Sequence, residues 1–161
     1  MLHTKSFNYQ VFTHDNELNH QDLELLNNAR QMTKHSYAAY SKFHVGACAM
    51  LDNGKIITGC NYENASFGAT ICAERVLLGS LQASEYRNNI IKTLAISYCT
   101  NGLSNSPVTP CGICRQSLLE YEINNGCSIK LIMAGMSGEI WIIEGVHNII
   151  PLGYTKTDLT K

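Results

Sequence analysis

Apolar residues recur along this chain in two rhythms. Leu25, Leu26, Ala29 and Met32, followed by Thr33 and Ser36, keep the three-and-four spacing of a helix with one apolar face. Asn19 stands as its N-cap with Asp22 in the first turn, and the pattern runs to about Tyr37. Residues 43–50 and 55–61 read as two strands about Asp52-Asn53-Gly54, a strong hairpin signal. Phe7, Tyr9 and Val11 alternate with Asn8 and Gln10, which predicts a short edge strand. A second helix is expected over 70–84 and a buried strand over 91–98. A polar loop containing Pro107 spans 101–109. A third helix follows over 110–122, with Pro110 near its first position. Residues 128–134 and 139–144 form two further strands about Ser137-Gly138. A helical turn at 147–150 is stopped by Pro151, and the tail from Thr155 is polar. This order predicts an α/β fold: a mixed sheet of about five strands with helices on its faces.

Length and composition narrow the class. The chain of 161 residues fits one domain over 20–161, with residues 1–19 as an N-terminal extension, an edge strand or a flexible lead. The net charge is −1 and the Lys and Arg residues are scattered, so no basic stripe marks a nucleic-acid surface. No apolar run approaches the length of a membrane span, and residues 1–8 lack the apolar core of a secretory signal. Seven cysteines, an odd number, point to a reducing cytoplasm rather than to a disulfide framework. Cys48, Cys60, Cys99 and Cys127 are expected to be buried small apolar residues.

The other three cysteines carry the chemistry. Cys72-Ala73-Glu74 opens the second helix, and Pro110-Cys111-Gly112-Ile113-Cys114 opens the third. Three thiolates would bind Zn²⁺ and leave its fourth tetrahedral position for water, whereas structural sites close all four. Cys111 and Cys114 share one side of a helical turn. Two helix N-termini aimed at the sulfurs favour the thiolate form. Glu74 stands close enough to handle protons. Arg75 is expected to hydrogen-bond the thiolates and draw negative charge from the metal, a role Arg115 could share. Cys111 and Cys114 alone could form a redox pair. That motif usually follows a strand directly, often with Trp before it, whereas here a polar loop precedes it and Trp141 is the chain's single Trp. A structural zinc recruiting Cys99 or Cys127 is the other alternative.

The chain resembles the small homotetrameric cytidine deaminases of the zinc deaminase superfamily. Besides the two zinc segments, Tyr40-Ser41-Lys42-Phe43-His44-Val45-Gly46-Ala47 is similar to that family's Y-S-x-F-x-V-G-A segment. Gly59-Cys60-Asn61-Tyr62-Glu63-Asn64-Ala65 is similar to its G-x-N-x-E-N-A segment, and Ile149-Ile150-Pro151 with Tyr154 to its tail. The resemblance implies a three-layer α/β/α fold and one Zn²⁺ on Cys72, Cys111 and Cys114. It also implies hydrolysis of free cytidine or deoxycytidine to the uracil nucleoside and ammonia in pyrimidine salvage. Glu74 would shuttle protons between zinc-activated water and the base. Asn61 and Glu63 would hold the ribose and Phe43 would pack on the pyrimidine. The Ala73 N–H and main-chain carbonyls near Thr109 or Pro110 would orient the base edge.

Three positions depart from the family pattern. Phe67 replaces a common Tyr, Tyr154 replaces the usual tail Phe, and Asn148 replaces a common Glu. The resemblance puts Phe67 and Tyr154 near a subunit interface, where the tail aromatic can close a neighbour's pocket. A tail Tyr and the run 72–79 also resemble the blasticidin-type deaminases, the alternative substrate class. A non-catalytic zinc-stabilised domain is the alternative outside enzymes.

Overall fold

The computed structural model describes residues 1–160. Six strands form one sheet: β1 (Gln10–Phe12), β2 (His44–Leu51), β3 (Ile56–Cys60), β4 (Ile91–Cys99), β5 (Lys130–Ala134) and β6 (Ile140–Glu144). Their order is β1-β6-β5-β4-β2-β3. Only β4 and β5 run parallel, joined by a helical crossover; every other neighbour pair is antiparallel. The sheet therefore has one strand more than expected. The extra one is β1, which starts three residues later than the alternation at Phe7 suggests and pairs Val11 with Trp141.

Alternation along the strands sorts side chains into two cores, which makes three layers. Ala47, Ala49, Leu94, Ile96, Leu131 and Met133 face α2 (Ala73–Ala83) and α3 (Gly112–Asn125), where they meet Leu77, Leu81, Leu118 and Leu119. Cys48, Ala95, Ile132, Ala134, Ile140 and Ile142 face α1 (His20–Met32), against Leu25, Leu26 and Ala29. Fully burying a Leu or Ile contributes ~1.5–3 kcal/mol, so both helical layers are held chiefly by these stripes.

Two glycines let the helices approach the hairpin closely. A Cβ on Gly46 would stand 2.8 Å from the Thr33 nitrogen and against the Ala29 carbonyl of α1. A Cβ on Gly59 would stand 2.6 Å from the Leu77 nitrogen and against the Ala73 carbonyl of α2. The N-terminal turn of α2 is thus seated directly on β3.

Several helix ends differ from expectation. The α1 N-cap is Asn19, whose side chain accepts from the Asp22 N–H at 2.9 Å. The helix ends at Met32, and Thr33–His35 tightens into a 3₁₀ turn, so the predicted run to Tyr37 is too long. Helix α2 starts at Ala73 rather than 70 because Cys72 is its cap. Pro110 lies outside α3, whose cap is Cys111; the helix continues to Asn125 and stops at left-handed Gly126, φ 59°.

Candidate active site

Helices α2 and α3 bring their first turns together at one end of the sheet. Cys72 and Cys111 are the respective N-caps, and Cys114 lies in the first turn of α3. The Sγ atoms of Cys72 and Cys111 are 3.7 Å apart, and the ligand atoms of all three cysteines lie within 4.8 Å of one another. A tetrahedral ion with sulfurs at about 2.3 Å requires edges of about 3.8 Å. No disulfide joins any of them. The donor set fits a zinc ion closely in type, number and spacing.

The electrostatics of the thiols favour the same occupant. Hydrogen bonding from Cys114, then from Cys111, together with the Arg75 charge, lowers the Cys72 pKa to about 6 despite burial and nearby Glu74. The same hydrogen bond with Cys72, with burial, raises that of Cys114. One thiolate forms readily and suppresses the next, so three thiolates at this spacing require a cation among them. Arg75 reaches Cys72 by charge; among the described residues its guanidinium makes no hydrogen bond to the sulfurs.

Glu74 is only 4 % exposed beside this cluster. Burial raises its pKa above the ordinary carboxylate range, against smaller lowering by its own backbone N–H, Cys114 and Arg75. A carboxyl group tuned upward in a cavity suits proton transfer. Ala73 opens α2, so its amide has no carbonyl one turn earlier to bond and is available as a donor, while the Glu74 amide is taken by its own carboxyl.

A cavity of about 320 Å³ runs from the cluster to Ser41, Phe43, Asn61 and Glu63, with Val108 and Thr109 along one wall. Tyr62 exchanges backbone hydrogen bonds with Ile71, and Tyr37 bonds both Asn61 and Glu63. This clamps 61–63 as extended chain, so alternation turns Asn61 and Glu63 inward and leaves Tyr62 exposed. The Asn61 amide braces the start of β2: Oδ1 accepts from the Val45 N–H at 2.7 Å and Nδ2 donates to the Phe43 carbonyl at 2.9 Å. Phe43 is backed by Tyr98, with ring centroids 4.8 Å apart and 10° between planes. The Ser41 hydroxyl and the Tyr40 and Ser41 amides donate to Glu63, and these bonds hold its carboxyl below the usual range. Lys42 adopts φ 58°, a left-handed turn between two residues that line the cavity.

The structure thus gathers Cys72, Cys111, Cys114, Glu74, Phe43, Asn61 and Glu63 about one cavity. Tyr154 lies outside it. Gln116 pins both its backbone groups, at 2.7 and 3.2 Å, and the residue is 56 % exposed. Of the other cysteines only Cys48 is fully buried, which pushes its thiol up to about 12; Cys60, Cys99 and Cys127 are half-buried. One participant escaped the sequence reading: Ser41, the hydroxyl partner of Glu63. Arg115, expected as a possible partner of the thiolates, instead donates to the Pro110 and Ile149 carbonyls and to Thr109 Oγ1.

A three-layer fold with a three-thiol cluster and a buried acid at one end of its sheet has the make-up of a metal-dependent hydrolytic centre. Residues 19–128 match the family described as cytidine and deoxycytidylate deaminase zinc-binding region. A cytidine deaminase of Mycobacterium tuberculosis is 42 % identical over 97 residues, 60 % of this chain and 68 % of that one. One of Sporosarcina psychrophila is 34 % identical over 137 residues, 85 % of this chain and 93 % of that one. The crystal structure of cytidine deaminase from Burkholderia pseudomallei superposes with a TM-score of 0.71 at 30 % identity, covering 85 % of this chain and all (100 %) of that one. A blasticidin-S deaminase of Bacillus cereus is 28 % identical over 141 residues, 86 % of this chain and 96 % of that one. The chain belongs to the cytidine and deoxycytidylate deaminase family of zinc-dependent hydrolases.

Proposed function

We propose that this chain deaminates free cytidine and deoxycytidine to the uracil nucleoside and ammonia, as a step of pyrimidine salvage. The observation that carries this reading is the make-up of the cavity. Two buried carboxylates, Glu74 and Glu63, line it, and none of its lining residues is Lys or Arg. A phosphorylated substrate would set like charge against Glu63 in a poorly solvated space. A neutral nucleoside fits, which separates the nucleoside from the nucleotide branch of the family and from nucleic-acid substrates.

Zn²⁺ held by Cys72, Cys111 and Cys114 would supply the Lewis acidity that makes water a nucleophile at neutral pH. Glu74 would take a proton from the attacking water and deliver it to N3 of the pyrimidine, then carry the remaining hydroxyl proton to the amine at C4 so that it leaves as ammonia. The Ala73 N–H faces the base edge. Phe43, braced by Tyr98, packs on the ring. Glu63 accepts from a ribose hydroxyl, and Asn61 offers its remaining N–H and lone pair. Arg75 tempers the negative charge of the thiolate cluster. Tyr154 serves a neighbouring copy in a homotetramer. The exposed rings of Tyr37, Tyr40, Tyr62 and Phe67 near the cavity mouth support such an assembly. The need for three reduced thiols agrees with a cytoplasmic setting.

The test follows the ultraviolet change of cytidine, cytidine monophosphate, blasticidin S and a cytosine oligonucleotide, with metal analysis of the same sample. Turnover of cytidine with one zinc per chain supports the reading. Turnover of blasticidin S alone moves the substrate to that class, and metal without turnover leaves a zinc-stabilised binding domain.

A further inference from the structure

We infer that the N-terminal segment is a positioning strap for the wall of the substrate cavity. The inference rests on the deaminase reading for its kinetic form. Residues 1–18 precede the part of the chain that matches the family. They are nonetheless tied to the sheet: Val11 pairs with Trp141, and Tyr9 packs on the Trp141 ring at 5.2 Å. Lys5 Nζ donates to the Pro151 carbonyl at 2.9 Å. Phe7, Tyr9 and Trp141 line a second cavity, about 360 Å³, together with Ile149, Arg115 and Thr109.

Thr109 is common to both cavities. The segment that carries it is weakly held. Ser104 anchors its start, accepting from the Met136 N–H at 2.6 Å, but among the described residues 105–110 make no backbone–backbone hydrogen bond. The polar tether at the other end is Arg115. Its Nε donates to the Pro110 carbonyl at 2.8 Å, one terminal nitrogen to the Ile149 carbonyl at 3.0 Å, and the other to Thr109 Oγ1 at 2.8 Å. A planar guanidinium fixes its three acceptors relative to one another. A shift of Ile149–Pro151 is therefore transmitted to Thr109 and Pro110, and through them to Cys111. The strap bears on that turn from outside through Lys5 at Pro151, and its Phe7 and Tyr9 rings line the second cavity together with Ile149 and Pro151 of the turn. Its residues touch no substrate; they set the position of those that do.

The test compares full-length wild type with Phe7→Ser/Tyr9→Ser, Arg115→Lys and the combination. It reads KM and kcat for cytidine, the rate of zinc release to a chelator, and thermal stability. The strap variant should raise KM roughly fivefold with kcat within about twofold, since small misplacements of binding groups are costly. It should also release zinc several-fold faster. In the Arg115→Lys background the strap change should add little, as expected for residues acting through one path. A fall in kcat at unchanged KM, with zinc release unchanged, is the signature of a merely structural role and overturns the inference. So does full additivity with Arg115→Lys. If the double serine variant does not fold, Lys5→Ala removes one exposed hydrogen bond and should move KM and zinc release in the same direction, about twofold. A wild type inactive on cytidine refutes the functional reading, and zinc release alone then decides the strap.

Discussion

The backbone of Gly59 lies directly beneath the nitrogen of Leu77, where an added Cβ would stand 2.6 Å away. Because Leu77 belongs to the turn that follows Cys72 and Glu74, the glycine fixes the height of that turn over the sheet. Gly59→Ala should cost about 1–3 kcal/mol through overpacking and lower kcat/KM of the folded fraction by moving the acid and one metal ligand. Gly46→Ala crowds α1 in the same way on the opposite face. It should cost similar stability while sparing the kinetics. Chemical denaturation with steady-state rates on both variants checks the contrast.

Glu63 should govern the choice between nucleoside and nucleotide. Glu63→Gln removes the charged acceptor and should raise KM for cytidine about tenfold, while narrowing the preference for cytidine over cytidine monophosphate. The Ser41 hydroxyl and Tyr40 amide hold this carboxyl below the usual range. It therefore stays ionised through mildly acid pH, and KM should not rise between pH 7 and pH 5. A KM that climbs steadily across that interval would contradict the role given to Ser41.

Much of this architecture can be read from the chain because local patterns and tertiary demands agree. Both cores follow strand alternation, and the segments carrying Cys72, Glu74, Cys111 and Cys114 announce their own spacing. What escaped the sequence reading depends on contacts between distant segments. Nothing beside Arg115 in sequence shows that it reaches Ile149, 34 residues on. Nothing shows that the Asn61 amide is taken up bracing Phe43 and Val45, or that Gln116 holds the Tyr154 backbone away from the cavity of its own chain. The ends of α1 and α3 differ from the pattern because caps decide them: a 3₁₀ turn at Thr33, and Cys111 in place of Pro110.

Far from the cavity, Glu122 is buried against the turn after β6. Burial opposes its ionisation, but hydrogen bonds from His147, Ile129 and Val146 outweigh it and hold its pKa below normal. A carboxyl depressed in the folded state contributes stability that is present above its unfolded pKa, about 4.3, and lost as pH falls through the folded value. Glu122→Ala strands two buried amides and should cost about 3 kcal/mol at pH 7. It should also flatten the loss of stability below about pH 4.5, as urea titrations at several pH values would report.

The account stands most directly on Glu74. Zinc content and cytidine turnover should be measured together on wild type and Glu74→Gln. The amide is nearly isosteric and leaves the three sulfurs in place, so both proteins should hold one zinc per chain, while kcat falls by roughly 10²–10⁴. A variant that keeps its zinc and more than a few per cent of the wild-type rate would contradict the account.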